Sequence, residues 1–152
     1  MRDQTVLLIA YNRWSDWRSP NELACRLARS NVVVFVETFP RYEASASKTE
    51  YLRSFLRSEP RWINDRLVVL SPPPMLPLAI PVASRFFRKA IAYYSIRLSK
   101  AIQAHILRRR LEEIHLSPSI LFLREPFDLF LIDRFGERVA CYYTYDEIGY
   151  FF

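Results

Sequence analysis

Residues 5–10 read TVLLIA, an apolar run without interruption after its first residue. A strand exposed on one face would alternate apolar with polar, so this run predicts a strand covered on both faces, as in a parallel sheet. A helix is predicted next, over 20–30, with Ser19 as N-cap and Pro20 at the first helical position. Glu22 lies in its first turn and Arg26 and Arg29 toward its end, the arrangement that suits the helix dipole. Leu23, Ala24, Leu27 and Ala28 are spaced to face a sheet. The nine residues between strand and helix, YNRWSDWRS, exceed what a tight connection needs. Ligands of open α/β sheets bind beyond the carboxyl ends of the strands, which makes this loop the first candidate for function.

The same unit recurs along the chain. Strands are predicted at 32–37 (VVVFVE), 67–71 (LVVLS), 119–123 (SILFL) and 138–143 (RVACYY). Between them, 48–58 has Tyr51, Leu52, Phe55 and Leu56 on one side and reads as a short amphipathic helix ended by Pro60. Residues 72–77 hold four prolines, which fix an extended backbone without donors and predict either an apolar surface for a lipid or partner or a strap over the core. The longest periodic segment is 82–115, a helix or two with a break. Ala83, Phe87, Ala90, Ile91, Tyr94, Leu98, Ala101, Ile102 and His105 fall on one arc, expected to be buried, with His105 as a core histidine. Arg85, Arg88, Lys89, Ser99, Lys100, Gln103 and Arg110 fall on the opposite arc, expected to face solvent or anionic headgroups. His115 stands at the helix end, where an imidazolium suits the dipole. A further short helix is predicted between Pro126 and Gly136.

Five strands alternating with helices predict an α/β, Rossmann-like parallel sheet in a single domain over 1–152. Only two glycines occur, which removes every glycine-rich phosphate loop and dinucleotide fingerprint. A net charge of +6 favours an anionic partner: a membrane surface, nucleic acid or a phosphorylated substrate. Nucleic acid is disfavoured, because the basic residues lie along one helix without a recognisable module and the aromatics cluster by acidic residues. Cys25 and Cys141 have no metal-type spacing, so no metal site is expected and both read as reduced core cysteines of a cytoplasmic protein. No run resembles a signal peptide or a spanning helix.

Polar and aromatic groups gather at the predicted strand ends. They are Trp14, Trp17 and Arg18 after the first strand, Glu37 after the second, Ser71 after the third, Arg124 and Glu125 after the fourth, and Asp146 and Glu147 after the fifth. Indole faces stack on the C–H faces of a sugar while carboxylates and arginine bind its hydroxyl or anionic groups, so the set predicts a site for a sugar or an anionic sugar derivative. Asp146 and Glu147 are adjacent and would point oppositely on a strand, which is no ready-made acid–base dyad.

The succession WSDWRSPNELACRLA, VVVFVETFP, LSPPPMLPL, SILFL and CYYTYDEIGYFF resembles the N-terminal domain of bacterial GT-B glycosyltransferases. It is most similar to family 4-like members associated with teichuronic acid biosynthesis. Two departures from that pattern are Ser19, which separates Arg18 from Pro20, and Tyr143, where an additional Asp is often found. The resemblance implies one half of a GT-B architecture, the acceptor side, in a chain that lacks the C-terminal donor domain and is inactive alone. The whole enzyme would move a sugar from a nucleotide-sugar donor, bound mainly by the missing domain, to a saccharide or lipid-linked acceptor in cell-surface polysaccharide synthesis. No tightly bound cofactor is implied. Carried across, the resemblance implies that Trp14, Trp17, Arg18, Glu37, Asp146 and Glu147 face the cleft between the domains; with the strand-end reading, Trp14, Trp17, Arg18, Glu37, Arg124 and Glu125 are the substrate-binding candidates and Asp146 and Glu147 the catalytic ones. It also implies a basic helix and a proline loop resting on the inner membrane face. The alternative kept open is a non-catalytic module of the same fold that binds saccharide or a partner protein.

Overall fold

The computed structural model describes residues 3–10, 12–37, 59–71 and 85–143. The strands are β1 (Thr5–Ile9), β2 (Val32–Val36), β3 (Arg61–Asn64), β4 (Leu67–Leu70), β5 (Ile120–Leu123) and β6 (Val139–Tyr142). The helices are α1 (Ser19–Leu27) and α2 (Arg85–Glu113), and a 3₁₀ turn spans Pro126–Leu131. One sheet contains all six strands in the order β3-β4-β2-β1-β5-β6. β4, β2, β1, β5 and β6 run parallel, and β3 is an antiparallel edge strand on β4.

Register explains why the apolar runs are unbroken. Leu7 lies beside Val34 and Leu121, and Leu8 beside Phe35 and Phe122. Successive side chains therefore leave the sheet on opposite faces, and both faces are covered. Leu7, Ile9, Val34, Val36, Val68, Leu121 and Leu123 pack with Ala104, Leu107 and Leu111 of α2 and with Leu131. Val6, Leu8, Val33, Phe35, Leu67 and Val69 pack on the other face with Ala24 of α1 and with its C-cap, Ala28. This is the doubly wound arrangement that the sequence predicts, with one helix layer per face.

Three expectations need correction. The sheet has six strands rather than five, because RWIN pairs with β4 through a turn in which the Arg66 amide donates to Asn64 Oδ1 at 2.9 Å. All four β3 residues are exposed, so neither periodicity nor a buried run marked them. At the start of α1 the N-cap is Arg18 and not Ser19: the Asn21 side chain reaches back to accept the Arg18 amide at 3.1 Å, which fixes the first turn one residue early.

The third correction concerns α2. Its buried stripe is Ser99, Lys100, Gln103, Ala104, Leu107 and Leu111, whereas Tyr94 is 66% and Leu98 55% exposed, and His105 faces solvent. The predicted inner and outer arcs are exchanged over this part of the helix. The reason is an ion pair: Lys100 Nζ lies 2.8 Å from Asp128 Oδ1, with Lys100 2% and Asp128 0% exposed, and also donates to Gln103 Oε1 at 3.1 Å. A buried acid on the 3₁₀ turn demands a cation, and the helix turns its lysine inward to supply it. At its far end α2 closes through His115, whose φ of 55° allows the Leu116 amide to reach the Leu111 carbonyl at 2.9 Å.

Cys25 and Cys141 are free and partly buried. Among the described residues no helix is long and apolar enough to cross a membrane, and no group of three His, Cys, Asp or Glu side chains could hold a metal ion. The helix predicted over 48–58, the proline segment 72–77 and the terminal stretch with Asp146 and Glu147 lie outside the described residues.

Candidate functional site

Because five strands are parallel, the segments that leave β1, β2, β4, β5 and β6 all emerge on one edge of the sheet. The loop after β1 is built by two buried asparagines. Asn12 Nδ2 donates to the Arg13 and Asp16 carbonyls, each at 3.0 Å, and to Asn21 Oδ1 at 2.6 Å. Asn21 Nδ2 donates in turn to the Trp14 carbonyl at 3.1 Å. Loop carbonyls that no strand or helix satisfies are thereby bound to the first turn of α1. Asn12 Oδ1 is buried without a hydrogen-bond partner among the described residues.

This scaffold holds an aromatic ladder at the carboxyl edge. Trp14 stands edge-on to Phe35, with ring centroids 5.0 Å apart, and to Trp17 at 6.0 Å. Trp17 is 63% exposed, so its ring is braced from below and open to solvent. The Trp14 amide donates to Glu37 Oε2 at 2.8 Å, while Glu37 Oε1 accepts the Ser71 hydroxyl. Arg61 of β3 adds a longer contact of 3.9 Å to the same carboxylate. Glu37 thus ties the ends of β1, β2 and β4 together. Its two oxygens serve the protein, so the side chain acts on the rim by holding Trp14 in place.

The second part of the edge lies between β1 and β5, where the chain winds away in opposite directions. A cavity of about 120 Å³ opens there, lined by Leu8, Ser19, Pro20, Leu23, Phe122, Arg124 and Tyr143. Such a switch point is where open α/β sheets place their ligands. The start of α1 contributes little to an anion. Pro20 has no N–H, and the Asn21 and Glu22 amides are directed at the Arg18 carbonyl at 2.9 and 3.3 Å.

Arg124 lines this cavity, and Glu125 begins the 3₁₀ turn, its amide donating to Asp128 Oδ2 at 3.2 Å. The Lys100–Asp128 pair therefore fixes the segment that carries Arg124 and Glu125. Tyr142, at the end of β6, has its phenol pKa raised above 10.0 by desolvation and then by the negative charges of Glu125 and Asp128.

Of the residues predicted for the site, Trp14, Trp17 and Glu37 are brought together, and Arg124 joins the start of α1 around the cavity. The Arg18 side chain is exposed at the cap of α1, and Glu125 lies at the base of the 3₁₀ turn. Sequence reasoning missed Asn12, Asn21, Lys100 and Asp128. An acid inside the apolar run PFDLFLI was the one available signal for the last pair.

These elements define the class of the fold: a Rossmann-like α/β lobe, a mostly parallel six-stranded sheet flanked by helices. No protein-family model matches the sequence, and no curated protein is significantly similar to it. Among solved structures the chain is similar to TcCGT1, determined in complex with UDP, with a TM-score of 0.50 and 17% sequence identity over 91% of this chain. The likeness covers 28% of the TcCGT1 chain. At that identity it establishes the shared fold.

Proposed function

We propose that residues 1–152 form the acceptor-side half of a glycosyltransferase that moves a sugar from a nucleotide-sugar donor to a saccharide or lipid-linked acceptor. The observation that carries this reading is the exposed Trp17 ring, braced by Trp14 and locked through Glu37 on the carboxyl edge of the sheet. An indole presented in this way is a stacking platform for the C–H face of a sugar. The spent or missing donors at the start of α1 favour a division of labour in which another domain holds the nucleotide diphosphate. TcCGT1, with its bound UDP, has this fold over 28% of its length, and the activity of the whole protein belongs to the proposal.

Within that proposal Trp17 orients the acceptor, Arg124 offers charge at the switch point, and Asp146 or Glu147 supplies the general base after β6. The base would take the proton of the acceptor hydroxyl as its oxygen attacks the anomeric carbon and the nucleotide diphosphate leaves. A lipid-linked acceptor in polysaccharide synthesis agrees with the surface of α2. Besides the buried Lys100, residues 85–111 contain seven Lys and Arg and no Asp or Glu, and Tyr93, Tyr94 and Leu98 are exposed there, which suits peripheral contact with an anionic membrane.

Turnover in the complete enzyme tests the reading. Trp17→Ala and Asp146→Asn should each lower it with the unfolding midpoint unchanged, and normal kinetics in both would reject them as site members. A non-catalytic binding module is the second reading, favoured by Glu37, a rim carboxylate whose oxygens are engaged within the protein. It stands if the complete protein binds saccharide through Trp17 yet transfers no sugar from any nucleotide-sugar donor.

A further inference from the structure

The cavity at the switch point is chemically unlike the sugar platform beside it. Its floor and walls are Leu8, Leu23, Pro20 and Phe122, and hydroxyl and guanidinium groups enter the lining only from Ser19, Tyr143 and Arg124. A pyranose ring pushed into it would surrender the water on several hydroxyls to carbon surfaces that cannot replace it. A phosphate would meet the Arg124 guanidinium but little from α1, since Pro20 carries no N–H and the next two amides point at the Arg18 carbonyl.

Size narrows the ligand further. An apolar cavity of about 150 Å³ lined by Leu, Ile and Phe stays dry and takes up benzene. The present cavity, at about 120 Å³, is slightly smaller and only partly enclosed, so a six-membered carbon ring can enter with its substituent left outside. Phe122 and Tyr143 provide two aromatic partners, which favour an aromatic ring over a saturated one of equal size through edge-to-face or offset contacts.

We propose that this cavity is a binding site for a single aromatic ring borne by the acceptor, with the ring against Phe122, Leu8 and Leu23 and its polar substituent toward Ser19 and Tyr143. Among saccharide acceptors this selects one that bears an aryl group, its hydroxyl held at the rim. The proposal rests on the acceptor-side reading for the fate of the bound molecule. The binding itself does not depend on that reading.

Amide NMR of the chain, titrated separately with phenyl, cyclohexyl and methyl β-D-glucopyranoside, tests it. The phenyl glycoside should shift the amides of Leu23, Phe122 and Tyr143 saturably, with an affinity at least tenfold above those of the cyclohexyl and methyl glycosides. Ser19→Trp places a large ring at the exposed mouth and Leu23→Trp fills the interior. Each should weaken phenyl binding at least tenfold, and if Leu23→Trp fails to fold, Ser19→Trp decides. Equal affinity for the methyl glycoside would show that the sugar alone is recognised. Equal affinity for the cyclohexyl glycoside would remove the aromatic preference, and absent saturation or unweakened binding in Ser19→Trp would remove the site. Each of these four outcomes overturns the proposal. A chain that binds the phenyl ring in a protein without transferase activity would sustain the cavity assignment and sink the glycosyltransferase reading.

Discussion

Replacing Lys100 with Met tests why α2 turns a lysine into the core. The substitution keeps the length of an unbranched side chain and removes the cation that lies 2.8 Å from Asp128 Oδ1, where both side chains are almost wholly inaccessible to water. Removing one partner of such a pair leaves a charge without compensation, and this costs about 3–5 kcal/mol. At a urea dependence of about 2 kcal/mol per molar, the midpoint should fall by roughly 2 M with the slope unchanged. Lys100→Met combined with Asp128→Asn removes both charges while an amide oxygen still faces the Glu125 amide, which now donates to Asp128 Oδ2 at 3.2 Å. The double variant should recover at least about 2 kcal/mol of the loss, a coupling of the size that neighbours in one network show. Hydrogen exchange at Glu125 should accelerate in the single variant, because the 3₁₀ turn loses its tie to α2. A loss below about 1 kcal/mol for Lys100→Met, or a double variant no better than the single, would refute the claim that the ion pair sets the face of the helix.

Glu37→Gln leaves one acceptor where the carboxylate offers two, so either the Trp14 amide or the Ser71 hydroxyl loses its partner. A stability loss of about 1–3 kcal/mol is expected, with a change in tryptophan fluorescence, and an unchanged spectrum would show that Trp14 is held by other means. Tyr142 retains its phenol proton more firmly when folded than its ordinary value of 10.0 allows. Its contribution to stability is therefore full below pH 10 and lost as the pH rises beyond it, because the unfolded chain releases that proton first. Tyr142→Phe should flatten the alkaline decline of the urea midpoint, and an identical slope would contradict the assignment. On α2, Tyr94→Ser with Leu98→Ser should abolish most sedimentation with phosphatidylglycerol vesicles, and Arg97→Glu should weaken it most at low salt. Equal binding of the wild-type chain to neutral phosphatidylcholine vesicles would argue against anionic recognition.

Much of the architecture was legible because parallel strands covered on both faces leave a signal that depends on composition alone. TVLLIA, VVVFV, LVVL and ILFL each became a strand in the expected direction. β3 escaped because RWIN is exposed on both faces and bears no period, and the two-residue turn Asp65-Arg66 before LVVL holds no glycine to mark a hairpin. Helix α2 misled for the opposite reason. Hydrophobic periodicity treats lysine and glutamine as outward-facing, and here Lys100 and Gln103 are drawn inward by an acid 28 residues further along the chain. No local count of apolar residues contains that partner. The rim itself was readable as a set of strand-end residues, since parallel strands bring their carboxyl ends to one edge. Its internal division was not. That Glu37 would spend its oxygens on Trp14 and Ser71, and that Pro20 and Leu23 would wall an apolar cavity, depends on three-dimensional contacts between separate βα connections.

The proposal that this lobe holds the acceptor while the nucleotide is held elsewhere is open to an amide NMR titration of the chain with UDP. Because the Asn21 and Glu22 amides of the first turn of α1 already point at the Arg18 carbonyl, UDP is predicted to leave them unmoved up to millimolar concentration. Saturable shifts of those amides at micromolar UDP would place the diphosphate on this lobe and contradict the account.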